Sequence, residues 1–293
     1  MRELPRAKVV ALWTVSLFLL FLLWGIAPSR NFPTDSIITV PAGSGLYSLS
    51  QMLEERNVIS SPFWFRNIAI LLGGERAMKA GEYYFSQPQN SIYLAWRIVR
   101  GKYEIETLKI TIPEGFTVEK ISDLFGPNFI FFDNRLFVVS APEGYLFPDT
   151  YFIPVTATAS STIKLLRDNF LRKIFPIMPE VEMSGKSLED IIIIASLIEG
   201  EANNQEDREM VSNVLWKRLK MGMPLQVDVE LKTYEFQGLP EKPINNPGLA
   251  SIKAAIYPTT TPYLYYLTGH DDKMHYAKTF DEHKNNISKY LSN

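Results

Sequence analysis

The residue with the most chemical promise is a glutamate at the end of an apolar run. The stretch Ser187-Leu-Glu-Asp-Ile-Ile-Ile-Ile-Ala-Ser-Leu-Ile-Glu199-Gly-Glu-Ala carries no charge from Ile191 to Ile198, and then presents a carboxylate. A carboxyl group held against such a surface is hard to ionise, which predicts a proton donor near neutral pH. Breaking a glycosidic bond asks for such a donor. The alternative is a solvated helix end beside Glu201. Glu201 is a poor partner for Glu199, because helix positions two apart differ by about 200° and their side chains diverge. A glycoside hydrolase generally uses two carboxylates, and Asp228, in the loop that follows, is a candidate for the second. One acid/base is enough where the substrate brings its own nucleophile. In a muramic acid ring the 6-hydroxyl can attack C1 and close an anhydro sugar. The same residue then protonates the leaving oxygen and takes the hydroxyl proton.

Other chemistries find less support. His270, His275 and His283 are spaced five and eight apart without an H-E-x-x-H pattern, so neither a metal site nor a cofactor is expected. No G-x-S-x-G elbow occurs, and Gly43-Ser-Gly45 is turn chemistry rather than a phosphate loop. Pro142-Glu-Gly-Tyr-Leu-Phe-Pro-Asp-Thr-Tyr151 is dense in aromatics and prolines. It reads as a rigid packed loop, or as a cleft wall offering aromatic faces to sugar rings. The net charge is −2 with no basic stripe, which argues against nucleic acid. There is no cysteine, so disulfides and thiolate metal sites are excluded. With 46% apolar and 21% charged residues, the chain can bury a sizeable core.

Several elements must position that chemistry. Val9 to Ala27 is uncharged, and at ~1.5 Å per residue it nearly spans a hydrocarbon core of ~30 Å. Trp13 and Trp24 lie toward its ends, and Arg2, Arg6 and Lys8 precede it. This predicts a cytoplasmic tail (1–8), a retained single-pass anchor (9–27), and the bulk of the chain outside the cytoplasm. A cleaved signal peptide is the alternative, since Gly25-Ile-Ala27 mimics a cleavage site. Residues 28–35 read as a linker. Strands are expected at Ile37–Val40, Gly81–Phe85, Glu104–Ile112 and Tyr263–Leu267. Helices are expected over 47–56, 61–72, 92–99, 117–125, 162–175, 187–201, 206–221 and 249–256. Ser187 is the expected cap of the glutamate-bearing helix, with Asp190 completing a capping box.

These residues also resemble a known family. Ala195-Ser-Leu-Ile-Glu199, then Val211-x-Asn-Val-x-x-x-Arg218-Leu-x-x-Gly222-Met-x-Leu225-Gln226-x-Asp228, is similar to the core signature of the MltG-like (YceG-like) endolytic murein transglycosylases. Gly144–Tyr151, Gly238-Leu-Pro, Pro243-Ile-x-Asn-Pro-Gly248, Ala254-Ala-x-x-Pro258, Tyr263-Leu-Tyr265 and Glu282-His283 follow in the family's order. The resemblance covers nearly the whole chain. It implies an α+β protein: an anchor, a LysM-like domain over 36–103, and a catalytic domain over 104–293 with the acid on a central helix. It implies a lyase of the bacterial cytoplasmic membrane that cuts nascent glycan strands to 1,6-anhydro-muramyl ends and so ends their growth. Peptidoglycan strands, the membrane and peptidoglycan synthases are the implied partners. Glu199 matches the family's catalytic glutamate, and Gln226, Asp228, Tyr234 and Asn246 fall in blocks that contact substrate. Two departures stand out. Gly200 replaces a basic residue, and Val229-Glu-Leu-Lys replaces a much longer segment, so part of one cleft wall is expected to be missing. A catalytically weak glycan-binding scaffold is the rival reading.

Overall fold

In a computed structural model the described residues are 13–17, 20–21, 24–74, 78–126 and 128–291. The expected anchor at 9–27 lies partly outside them. Its described residues 13–17, 20–21 and 24–26 are helical, and among the described residues no helix is long and apolar enough to cross a membrane. The expected cytoplasmic tail, 1–8, lies wholly outside them. The chain divides into two compact units, residues 1–106 and 107–293.

The first unit pairs strand β1 (Ser36–Val40) antiparallel with β2 (Gly81–Phe85), in a register that sets Ile38 opposite Tyr83. Between them run helices α1 (Leu46–Glu55) and α2 (Pro62–Leu71), and α3 (Ser91–Arg100) follows. Leu49, Leu53, Phe65, Phe85, Leu94 and Ile98 form its core. Proline is tolerated at the first helical position of α2 because that N–H has no intrahelical partner. Gly101, in the left-handed conformation, ends α3. Arg97 is fully buried, and it is offset by Glu104 at 3.2 Å and by the carbonyls of Tyr84, Lys102 and Tyr103.

The second unit opens with β3 (Thr107–Thr111), whose antiparallel partner β4 (Thr150–Pro154) arrives after α4 (Val118–Asp123) and α5 (Asn134–Ser140). The expected strand at 104–112 thus begins three residues late, and β4 lay hidden in the stretch read as loop. An aromatic cluster of Phe125, Phe129, Phe132 and Phe137 fills this part of the unit. Helices α6 (Ala159–Ile174), α7 (Met178–Met183), α8 (Leu188–Glu201), α9 (Gln205–Lys220) and α10 (Leu249–Ile256) build the rest, with a hairpin of β5 (Tyr265–Thr268) and β6 (Met274–Ala277) and a last helix, α11 (Phe280–Tyr290).

Helix α8 is the axis of this unit. All eight residues from Ile191 to Ile198 are buried, as a helix that is apolar all round must be. They pack with Val211 and Leu215 of α9 and with Ile252 and Ala255 of α10. Ser187 caps α8 by accepting from the Asp190 N–H at 3.0 Å, which is the first half of the expected capping box.

Candidate active site

At its C-terminal end α8 leaves this apolar packing, and Glu199 stands there. One turn earlier Ser196 accepts the Ile244 N–H at 3.1 Å, and its carbonyl accepts Asn245 Nδ2 at 2.9 Å. These bonds fix the loop before α10 along the helix and deliver Gly248 to Glu199. The Gly248 N–H donates to Glu199 Oε2 at 2.8 Å, at the N-terminal end of α10, where the backbone dipole favours a negative group. Arg208 of α9 brings Nη2 to within 3.4 Å of Glu199 Oε1. Both carboxyl oxygens therefore serve as acceptors, and the Glu199 side chain is 6% exposed.

The loop Pro113–Gly115 closes the other side. Gly115 N–H donates to the Asn246 carbonyl at 2.9 Å, and Asn246 N–H donates to the Phe116 carbonyl at 3.0 Å. A Cβ on Gly115 would lie 3.4 Å from Glu199 Cγ. A Cβ on Gly248 would run into the Glu114 carboxyl, so Glu114 and Glu199 both meet the same glycine. Burial and the facing charge of Glu199 push the Glu114 carboxyl above the usual carboxylate range, with Arg208 opposing.

Asn246 itself is fully buried, and its side chain is spent within the protein. It accepts from the Leu146 N–H at 2.8 Å and donates to the Phe116 carbonyl at 3.0 Å and to Glu143 Oε1 at 2.7 Å. The expected substrate contact is here a brace that sets the main chain on both sides of Glu199.

The other expected contacts gather on the opposite side of α8's end. Gln226, Asp228 and Tyr234 line a cavity of about 440 Å³ together with Glu201, Arg218 and Tyr266. Tyr234 donates to Asp228 Oδ1 at 2.6 Å, and burial with this bond pushes its phenol up to about 12. Gln226 sits at φ +53°, and its Oε1 accepts from Arg218 Nη1 at 3.1 Å. Arg218 is buried, and among the described residues no carboxylate pairs with it. It donates to the Leu225 carbonyl at 2.7 Å and the Leu264 carbonyl at 2.8 Å, which holds this wall together. Burial raises the Glu201 carboxyl, and the charge of Asp228 adds to this. A second cavity, about 480 Å³, is lined by Glu143, Glu230, Lys232 and Phe236 among others. Glu199 lines neither cavity.

Gly200 and the segment after Asp228 meet directly. A Cβ on Gly200 would lie 2.7 Å from Val229 Cγ1. The short segment after Asp228 folds directly onto the helix at that glycine, and a larger residue there would push it off. Gln226 N–H to the Thr233 carbonyl and Val227 N–H to Thr233 Oγ1, at 3.1 and 2.8 Å, close the segment into a tight loop.

Sequence reasoning missed Glu114, Arg208 and Glu143. Pro113-Glu-Gly115 reads as a bare turn, and Arg208 as one charge among several on an exposed helix face. Their approach to Glu199 or Asn246 is set by chain folding and leaves no local spacing to find. Among the described residues no cluster of His, Asp or Glu is arranged to hold a metal ion.

A family model for the YceG-like family matches residues 38–232 and 230–289. The chain belongs to the YceG-like family. It is 25% identical to a Bacillus subtilis (strain 168) protein named endolytic murein transglycosylase, over 90% of this chain and 87% of that one. A Streptococcus pneumoniae (strain D39) protein of the same name is 23% identical over 91% of this chain. This chain spans 60% of the pneumococcal protein's length. The crystal structure of a putative YceG-like protein from Listeria monocytogenes superposes with a TM-score of 0.53 at 27% identity, covering 85% of this chain and 98% of that one. The mixed α+β architecture is therefore shared with a YceG-like neighbour.

Proposed function

We propose that this YceG-like protein is a peptidoglycan lytic transglycosylase: a lyase that cuts glycan strands internally and leaves 1,6-anhydro-muramyl ends. Its relatives' shared name supports the activity, and the setting of Glu199 carries the residue-level reading. That carboxyl follows eight buried residues of its helix, meets an arginine and a backbone N–H, and has a second carboxyl beside it. The reaction gives one proton to the leaving oxygen and takes one from the 6-hydroxyl, and Glu199 is the residue at the centre of both transfers. No water is consumed. Gln226, Asp228 and Tyr234 contact the glycan from the neighbouring cavity, while Asn246 holds the loop in place.

The finer reading adds an anchor at 9–27 in the cytoplasmic membrane, with the remaining chain outside. It also makes the first unit a LysM-like module, which its strand pair with two helices between the strands supports. Cutting strands as they are made would end their elongation, beside the synthases that make them. A glycan-binding scaffold is the rival reading, and the covered carboxyl of Glu199, 6% exposed, is the observation in its favour. Full-length protein in detergent, incubated with un-crosslinked glycan strands, separates the two. Anhydro-ended products from the wild type, lost in Glu199→Gln, are expected. Binding without products supports the scaffold, and reducing ends support a two-carboxylate hydrolase.

A further inference from the structure

Glu114 is the unexplained group in the candidate site. Its turn, Pro113–Gly115, is tied to the Asn246 main chain on one side and lies against Glu199 on the other. Its carboxyl reaches the Cα of Gly248, the residue whose N–H holds Glu199 Oε2. The two glutamates differ in access. Glu199 is covered, whereas Glu114 is open to solvent, so a sugar oxygen arriving from outside meets Glu114 first. They differ in partners as well. Both Glu199 oxygens accept from donors, while among the described residues no hydrogen bond ties the Glu114 carboxyl. The charged groups acting on Glu114 are Glu199 of α8 and Arg208 of α9, and the Asn246-Pro-Gly248 loop brings none. Its own turn adds no other charge.

We infer that Glu114 is the second catalytic carboxylate of this centre, and that it and Glu199 between them supply and take back the one proton the reaction moves. The inference rests on the transglycosylase reading and deepens it. The pair's proton passes to the glycosidic oxygen as the bond from that oxygen to C1 breaks, and the bonding electrons leave with the oxygen. The O6 lone pair then bonds to C1, and the O6 proton returns to the pair. The pair ends with the single proton it began with, and neither water nor an oxidant is consumed. The burial and like charge that lift the Glu114 carboxyl suit it to hold that proton at rest.

The test measures anhydro-end formation on un-crosslinked glycan strands by full-length wild type, Glu114→Gln and Glu114→Asp, between about pH 5 and about pH 8. Glu114→Gln should lower kcat about 100-fold, with KM within about twofold and melting unchanged. Its pH profile should lose the limb that belongs to the carboxyl at position 114, which burial and the charge of Glu199 lift above the usual carboxylate range. Glu114→Asp keeps the charge and should recover part of the rate. A Glu114→Gln variant with wild-type kcat and pH profile overturns the inference, as does a loss confined to KM. Absence of anhydro ends from the wild type overturns both this inference and the transglycosylase reading. Their presence beside an unaltered Glu114→Gln overturns this one alone.

Discussion

Glu199 and Glu201 occupy one helix end, two residues apart, and the chain surrounds them with different chemistry. Glu199 meets a guanidinium and the N–H at the start of α10, with Glu114 beside it. Glu201 accepts the Val229 N–H at 3.3 Å, and burial with the charge of Asp228 pushes its carboxyl up, against the hydrogen bonds of Val229 and Tyr266. Helical spacing explains why the two diverge. It does not explain which donors each one receives. For Glu199 that difference comes from Arg208, 9 residues on, from Gly248, 49 residues on, and from an upstream turn; for Glu201 it comes from Val229, 28 residues on. A carboxylate's usefulness is thus a property of what folding brings to it.

The comparison can be broken most directly by exchanging the two carboxylates for amides. Glu199→Gln should cost on the order of 10³-fold in kcat for anhydro-end formation. Glu201→Gln should change KM several-fold and leave kcat within about threefold. Equal losses in kcat would mean that the two sides of the helix form one centre.

The brace on the Glu199 side should be felt in stability. Asn246→Ala leaves the Leu146 N–H and the half-buried Glu143 Oε1 without their partner, while Glu143 Oε2 keeps the Val118 N–H, and this should cost about 2 kcal/mol in denaturant unfolding. A loss below about 1 kcal/mol would show that the loop beside Glu199 is held by something else.

A smaller effect sharpens the account of the Glu201 side. Gly200→Ala drives a Cβ toward Val229, an overpacking that costs about 1–3 kcal/mol against a gain of about 1 kcal/mol in helix propensity. A net loss of about 1 kcal/mol is expected, and adding Val229→Ala should restore it. Additive losses in the double variant would separate glycine from valine.

Much of the fold could be read in the chain. Helix α8, its Ser187 cap and its buried face follow from eight uncharged residues behind a capping serine. The turn to β2 and the stop at Gly101 follow from their glycines. Strand β4 was hidden because Thr-Tyr-Phe-Ile-Pro ends in proline and sits in an aromatic run that looks like loop. It survives because a two-stranded sheet gives it a free edge. Helices α5 and α11 were missed for opposite reasons. Asn-Arg-Leu-Phe-Val-Val-Ser is short and β-branched, whereas α11 is polar and has no buried residue to mark it.

For the site, residue types and spacing alone determined that a carboxyl emerges from an apolar helix at position 199, and that its neighbour two residues on points elsewhere. These are local facts, fixed by a 3.6-residue turn and by the cost of burying charge. The tertiary structure alone decided that Arg208, Gly248 and Glu114 converge on the first carboxyl, and Asp228 and Tyr266 on the second. It also turned Asn246 inward as a brace. Such meetings depend on how distant segments pack and satisfy their backbone groups, and no periodicity within the chain encodes them.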